Sequence, residues 1–216
     1  ADSALQQDQL TQRYDRAQRM AGVLPIGRLP GETASRAAVF WSLPLHQLDE
    51  WPNRDLADWK AEVTTLWPQM HPFLTGLAST ANLTPARYSH GTLRRPFDAA
   101  LVFIGDAAHR ASPQLGQGAN MALLDAFALA HALTALPLDD ALPAYARSRR
   151  WHVRSYQSLS AVFTPMYQSN SRILPALRDR VLAPVARTAP LRGMLTRLVS
   201  GTLLPPVAGL SWPQAT

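Results

Sequence analysis

Leu101-Val102-Phe103-Ile104-Gly105-Asp106-Ala107-Ala108-His109, then Pro113-Gln114-Leu115-Gly116-Gln117-Gly118-Ala119-Asn120-Met121-Ala122-Leu123-Leu124-Asp125-Ala126, is the stretch on which the reading of this chain turns. It reads as a buried apolar strand at 100–104, an acid at its C-terminal end, a glycine-rich turn and a helix start. A carboxylate just past a buried strand lies at the rim of a sheet, where α/β folds bind ligands. There it can accept hydrogen bonds from two neighbouring hydroxyls. Gly116 and Gly118 let backbone approach a ligand closely and supply strained φ values. A helix opening after them presents unsatisfied N–H groups and about half a positive charge. That end would stabilise an electron-rich ligand edge by roughly 0.3–2 kcal/mol. Each part also has a plainer reading. Asp before Ala-Ala caps helices, and paired glycines make ordinary turns. The string from Gly105 to Ala126 taken together favours the ligand site.

The same residues resemble the second FAD-binding motif of the single-component flavoprotein monooxygenases, the aromatic hydroxylase family: Gly-Asp-Ala-Ala-His, then Pro, Gly-Gln-Gly, Asn and Asp-Ala. The resemblance implies that Asp106 holds the ribityl chain of FAD and that Pro113 lies against the isoalloxazine ring. It implies that backbone amides from Gly118 through Ala119 to Asn120 face the pyrimidine edge. Gly105 and Gly116 would shape the turn, and Gln117 would line the site through its backbone. His109 is expected to be structural and bonded to backbone, because the family does not use this histidine as its base. Asp125 is expected to pair with a neighbouring polar group. Arg149, Arg150, His152 and Arg154 read as a solvated or ion-paired helix face.

The resemblance runs from about residue 9 to 155 and is sharp only from 101 to 126. Gly22-Val23-Leu24-Pro25-Ile26-Gly27 is similar to the family's substrate-domain sheet. From that sheet Phe40, Trp41 and Leu43 are candidate substrate contacts, with core packing the competing reading for at least two of them. The family's Gly-x-Gly-x-x-Gly turn for the pyrophosphate does not occur in this sequence. Asp2-Ser3-Ala4-Leu5 faintly echoes the tail of a further family signature. What is implied is therefore the C-terminal half of such an enzyme, with very weak FAD affinity and no activity of its own. For the intact enzyme the resemblance implies hydroxylation of a small aromatic substrate. NADH or NADPH would reduce FAD, and O₂ would react through a flavin C4a-hydroperoxide. It leaves a homodimer open.

Composition narrows the alternatives. The 216 residues are 47% apolar, enough for one core or one and a half. Cysteine is absent, so disulfides, thiolate nucleophiles and Cys-based metal sites are excluded. The net charge of +6 is almost all arginine, and no nucleic-acid-binding motif accompanies it. Residues 1–10 are polar and carry no signal-peptide core, and no apolar run is long enough to span a bilayer. A cytoplasmic setting is the expectation. Two other functions compete. One is an FAD dehydrogenase, reductase or halogenase using the same motif, although no Trp-x-Trp-x-Ile string is present. The other is a non-enzymatic module in which residues 172–199, rich in arginine, form a basic amphipathic helix against a membrane or partner.

The expected fold is α+β or α/β, a partial flavin-monooxygenase fold. Residues 1–98 would hold the substrate-domain sheet, residues 99–136 the strand-turn-helix of the motif, and residues 137–216 C-terminal helices and a tail. Strands are predicted over 19–29 and 37–43, joined by a turn at Leu29-Pro30-Gly31-Glu32, with Pro25 marking an edge or bulge. A helix is predicted over 53–67, capped by Asn53, with Leu56, Trp59, Val63 and Leu66 as its apolar stripe. Further expectations are a short helix over 73–83, a strand over 86–93 and a helix over 119–133. A long helix should run from 139 or 140 to 163, with Pro143 in its first turn. Past Pro165 the chain is expected to be helical and proline-punctuated, and irregular from Pro205.

Overall fold

The computed structural model describes residues 5, 8–200 and 202–209. The echo at residues 2–4 and the tail past 209 lie outside them. The chain divides into two compact units. One comprises Ala1–Ala86 with Pro165–Ala176, the other Arg87–Thr164 with Leu177–Thr216.

The first unit is built on an antiparallel sheet in the order β1 (Thr11–Asp15), β2 (Arg19–Gly27), β3 (Arg36–Ser42). Its register pairs Thr11 with Val23 and Met20 with Ser42. The register slips between Pro25 and Gly27. Pro25 pairs with Ala37 of β3 where this slip begins, beyond Val23, the last residue of β2 that pairs with β1. Alternation sends Ala21 and Val23 of β2, and Ala37, Val39 and Trp41 of β3, toward one face. Helix α1 (Leu56–Leu66) covers that face with Trp59 and Val63, both about 1% exposed. Trp59 meets Trp41 and Trp51 edge to face, at centroid distances of 6.4 and 5.5 Å. Such contacts add about 0.5–1.5 kcal/mol each beyond buried area.

Two expectations in this unit are corrected. Asn53 does not cap α1. It is tied into the tight turn Trp51–Asn53, and Asp55 is the first residue free to cap; its side chain accepts from the Asp58 N–H at 2.9 Å. No single helix fills 73–83 either. Helix α2 is the short His71–Leu74, after which Ser79 caps a separate tight turn at Thr80–Asn82.

The second unit contains two-residue strands β4 (Gly91–Thr92), β5 (Phe97–Asp98) and β6 (Leu101–Val102). The strand expected over 86–93 shrinks to bridges from Gly91 to Arg110 and Thr92 to His109. The strand expected at 100–104 is likewise short, and it is not buried: Leu101 is 57% and Ile104 37% exposed. The physical reason is that β6 pairs only with β5 among the described residues; Val102 still packs against the α4–α5 cluster, but Leu101 and Ile104 lack a covering layer. Helix α3 (Asp106–His109) follows, then α4 (Gly118–Ala135) and α5 (Leu138–Tyr167). Pro143 falls at the sixth position of α5, beyond the expected first turn, where it costs only one backbone bond near an exposed end. Ala128 and Ala132 of α4 pack on Ala141 and Tyr145 of α5, together with Val207.

Past α5 come α6 (Ile173–Leu177), a wide π turn at Arg178–Leu182, α7 (Ala183–Ala186) and α8 (Ala189–Val199). Residues 172–199 therefore do not form one amphipathic helix. Prolines 175, 184 and 190 punctuate the run, and Leu198 is buried against Met121, Val153 and Tyr156. No helix among the described residues is long and apolar enough to cross a membrane.

Candidate functional site

The turn after β6 is shaped by Gly105, whose φ of 56° and ψ of −140° suit glycine. A Cβ there would also meet the Cβ of Ala122 at 3.0 Å, so the residue lets α4 pass close to the turn. Its carbonyl accepts from the N–H groups of Ala108 and His109, both at 2.9 Å, closing the short helix α3. Asp106, the first residue of α3, is exposed and lines a cavity of about 530 Å³. Pro113, Leu115, Gly116, Gln117 and Gly118 line the same cavity.

Gly116 ends the tight turn Pro113–Leu115 in the left-handed conformation, φ 63°. Gly118 then opens the 18-residue helix α4. A Cβ on either glycine would meet no atom within 4 Å, so open space lies in front of both. Of the residues expected to face a ligand through their amides, Gly118 borders the cavity. Ala119 and Asn120 follow in the first turn of α4 but do not line it. The Asn120 side chain donates to Gln117 Oε1 at 2.8 Å and so braces the helix start.

The polar and apolar parts of this wall fit a flavin. The Asp106 carboxylate suits vicinal hydroxyls, and the helix N-terminus at Gly118 suits an electron-rich ring edge. Pro113, Leu115, Met121 and Tyr156 offer the apolar surface between. The sequence reading missed Arg87, Tyr88, Ser89, Arg110, Met121, Tyr156 and Gln157 on this wall. Arg110, directly after the Gly-Asp-Ala-Ala-His string, and Met121, inside the quoted stretch, were within sight of the motif. The others arrive from elements whose packing no local pattern announces.

Behind the wall is a buried charged network. The Asp125 carboxylate is fully buried and accepts three bonds: Gly105 N–H at 2.9 Å, His109 Nε2–H at 2.6 Å and Arg149 Nε–H at 2.7 Å. Burial pushes its carboxyl up, but His109, Arg149 and the Gly105 amide outweigh this and hold it below the ordinary carboxylate range. Arg149 is 2% exposed and also donates to the Pro206 carbonyl and to His152 Nδ1. The His109 ring, expected to bond backbone, instead bonds the Asp125 carboxylate, and the residue also borders the cavity. Asp125 pairs with neighbouring polar groups, as expected, and Arg149 is the ion-paired member of the basic run. Burial, with the Asp125 charge nearby, raises the Tyr145 phenol far above its usual value, and it donates to the Phe103 carbonyl at 3.2 Å.

The three sheet candidates belong to the first unit. Trp41 and Leu43 pack against the apolar core. Phe40 points to the opposite face, where its ring lies over Gly22; a Cβ there would come within 2.4 Å of Phe40 Cδ2.

The mixed α/β scaffold that carries this turn and helix start has a partial flavin-monooxygenase fold. The chain belongs to the FAD binding domain family, which it matches over residues 6–157, and FAD is the cofactor of that family. It is 32% identical over 131 residues to the probable 2-heptyl-3-hydroxy-4(1H)-quinolone synthase AqdB2 of Rhodococcus erythropolis, covering 58% of this chain and 32% of that protein. It is 37% identical over 94 residues to 3-(3-hydroxy-phenyl)propionate/3-hydroxycinnamic acid hydroxylase 2 of Burkholderia vietnamiensis, covering 42% and 17%. Among solved structures the fold is similar to PqsL, a probable FAD-dependent monooxygenase from Pseudomonas aeruginosa. That match has a TM-score of 0.62 and 22% identity, over 79% of this chain and 47% of PqsL. It is also similar to Klebsiella pneumoniae HpxO complexed with FAD and uric acid, with a TM-score of 0.63 and 20% identity over 91% and 49%. The chain thus spans a third or less of those curated relatives and about half of those solved structures.

Proposed function

We propose that this chain supplies the flavin-facing and substrate-facing parts of a FAD-dependent monooxygenase that hydroxylates a small aromatic molecule, with NADH or NADPH as reductant. The observation that carries the reading is the grouping of Asp106, Pro113, Gly116 and Gly118 around one cavity at the start of a long helix. Asp106 would bind the ribityl hydroxyls. Pro113 would seat one face of the ring. The amides at the start of α4, from Gly118 to Asn120, would stabilise the negative charge that reduction places on the pyrimidine edge. Met121 and Tyr156 would keep water from the ring. When bound, FAD supplies the redox and oxygen chemistry, which no side chain here provides.

Phe40 is the sheet residue retained as a candidate substrate contact, since Trp41 and Leu43 are taken up by packing. The relatives' names support an aromatic, often acidic, substrate: a hydroxyphenylpropionate for the hydroxylase relative, and 2-aminobenzoylacetate bound in a complex of PqsL. No Gly-x-Gly-x-x-Gly turn for a pyrophosphate occurs in the 216 residues, so this chain alone is expected to be colourless and inactive. The test uses the full-length protein. It should purify with bound flavin, oxidise NADH or NADPH faster in the presence of an aromatic substrate, and place one atom of ¹⁸O₂ in the product. Reduction of the flavin with no ¹⁸O incorporation would replace hydroxylation with a dehydrogenase or reductase reaction.

A further inference from the structure

One buried carboxylate holds both ends of the turn that carries Asp106. Asp125 Oδ2 accepts from the backbone N–H of Gly105, which immediately precedes α3, and from the ring of His109, which is its last residue. The strand ladder stops at Val102, so Gly105 N–H takes its acceptor from a side chain twenty positions later rather than from a neighbouring strand. Gly105 is buried, and without that acceptor its N–H would be unsatisfied. A charge so fully removed from water is costly. Apolar residues of similar volume often serve stability as well or better. Packing alone therefore gives no reason for a carboxylate here, whereas a group that can accept three bonds at fixed angles does. Arg149, itself anchored by Pro206 and His152, balances the charge and fixes the orientation of the carboxylate.

We propose that Asp125 is a positioning residue for the cofactor: by clamping Gly105 and His109 it sets where the Asp106 carboxylate stands at the cavity wall. It touches no ligand and acts only through the turn. The proposal rests on the reading of Asp106 as the ribityl-binding residue, and the test separates the two.

In the full-length protein, FAD affinity is measured by flavin fluorescence titration for Asp106→Ala, Asp125→Ala and the double variant. Amide exchange at Gly105 is followed by NMR. Asp106→Ala should weaken FAD about 10- to 100-fold, the loss of hydrogen bonds to a charged group. Asp125→Ala should weaken it comparably and speed exchange at Gly105. The double variant should bind no worse than the weaker single one, because both changes remove the same contact. If Asp125→Ala does not fold, Asp125→Asn combined with Arg149→Gln is measured by itself as the variant that should keep the clamp. The asparagine oxygen can still accept from Gly105, and the glutamine can accept from the asparagine amide, so Gly105 protection and most of the FAD affinity should be kept.

If Asp106→Ala leaves FAD affinity unchanged, the ribityl reading fails and this proposal with it. If Asp106→Ala weakens binding while Asp125→Ala does not, or while the two losses multiply, the ribityl reading stands and Asp125 is not its positioner. A folded Asn/Gln pair that keeps Gly105 protected but loses FAD would overturn the proposal in the same way.

Discussion

The two units solve the same problem with opposite materials. The first closes over an apolar centre, with Trp51, Trp59, Val63, Trp67, Met70 and Leu74 all buried against Ala21 and Val23. The second places a carboxylate, a guanidinium and two imidazoles among its buried groups and splits its apolar contacts between two smaller clusters. Apolar packing is non-directional and tolerates volume-conserving exchange. A buried hydrogen-bonded charge fixes atoms at set distances but fails badly when one partner is removed. The difference teaches where geometry matters: the unit whose turn borders the candidate cavity is the one that uses directional bonds.

The sharpest way to break the contrast is to remove one central group from each unit. Asp125→Ala strands the buried Arg149 and should cost about 3–5 kcal/mol. Trp59→Ala leaves a large void and should cost about 3–5 kcal/mol. Hydrogen exchange read by mass spectrometry should localise each loss: segments within 100–160 for the first variant, segments within 11–75 for the second. Equal deprotection of both units by either variant would erase the distinction.

Acid should sharpen it. Asp125 is held below the ordinary carboxylate pKa of about 3.9. A carboxyl depressed on folding contributes stability that is complete above the unfolded value and is lost as pH falls through the folded one. Denaturant melts of the wild type and Asp125→Asn should therefore differ most at neutral pH and converge below about pH 4. The gap between wild type and Trp59→Ala should stay nearly constant over the same range.

Smaller effects probe single turns. Gly116→Ala puts a Cβ into a left-handed conformation and should cost about 1–2 kcal/mol in melts. Asp55→Ala removes the cap of α1 and should cost about 1 kcal/mol, confined to the first unit.

Much of the second unit's site was legible in the sequence because its signals are local. A glycine pair, a following Ala- and Leu-rich helix and an exposed acid lie within one short stretch, and α4 begins at Gly118, next to the expected start. The sheet was legible for the same reason, since the turn at Leu29–Glu32 and the bulge at Pro25 are set by neighbours in the chain. What escaped depends on distant partners. Leu101 and Ile104 look like core residues from their own chemistry, yet exposure is decided by which strands lie beside them. Arg149 sits in a run of charges that reads as solvated or ion-paired, and only the approach of α4 to α5 decides which and makes it a buried partner of Asp125. Asn53 and Asp55 are both good caps, and the choice between them was made by the tight turn at Trp51–Asn53.

The bond from Arg149 to the carbonyl of Pro206 makes the segment after α8 part of the support for a loop far earlier in the chain. Ala208 N–H reinforces it by donating to the Ser148 carbonyl at 3.1 Å. An affinity tag or a proteolytic nick that pulls this segment away would be felt first at the guanidinium, then at the carboxylate it steadies. Removing the segment from residue 202 onward would therefore alter the candidate cavity without touching a residue that lines it.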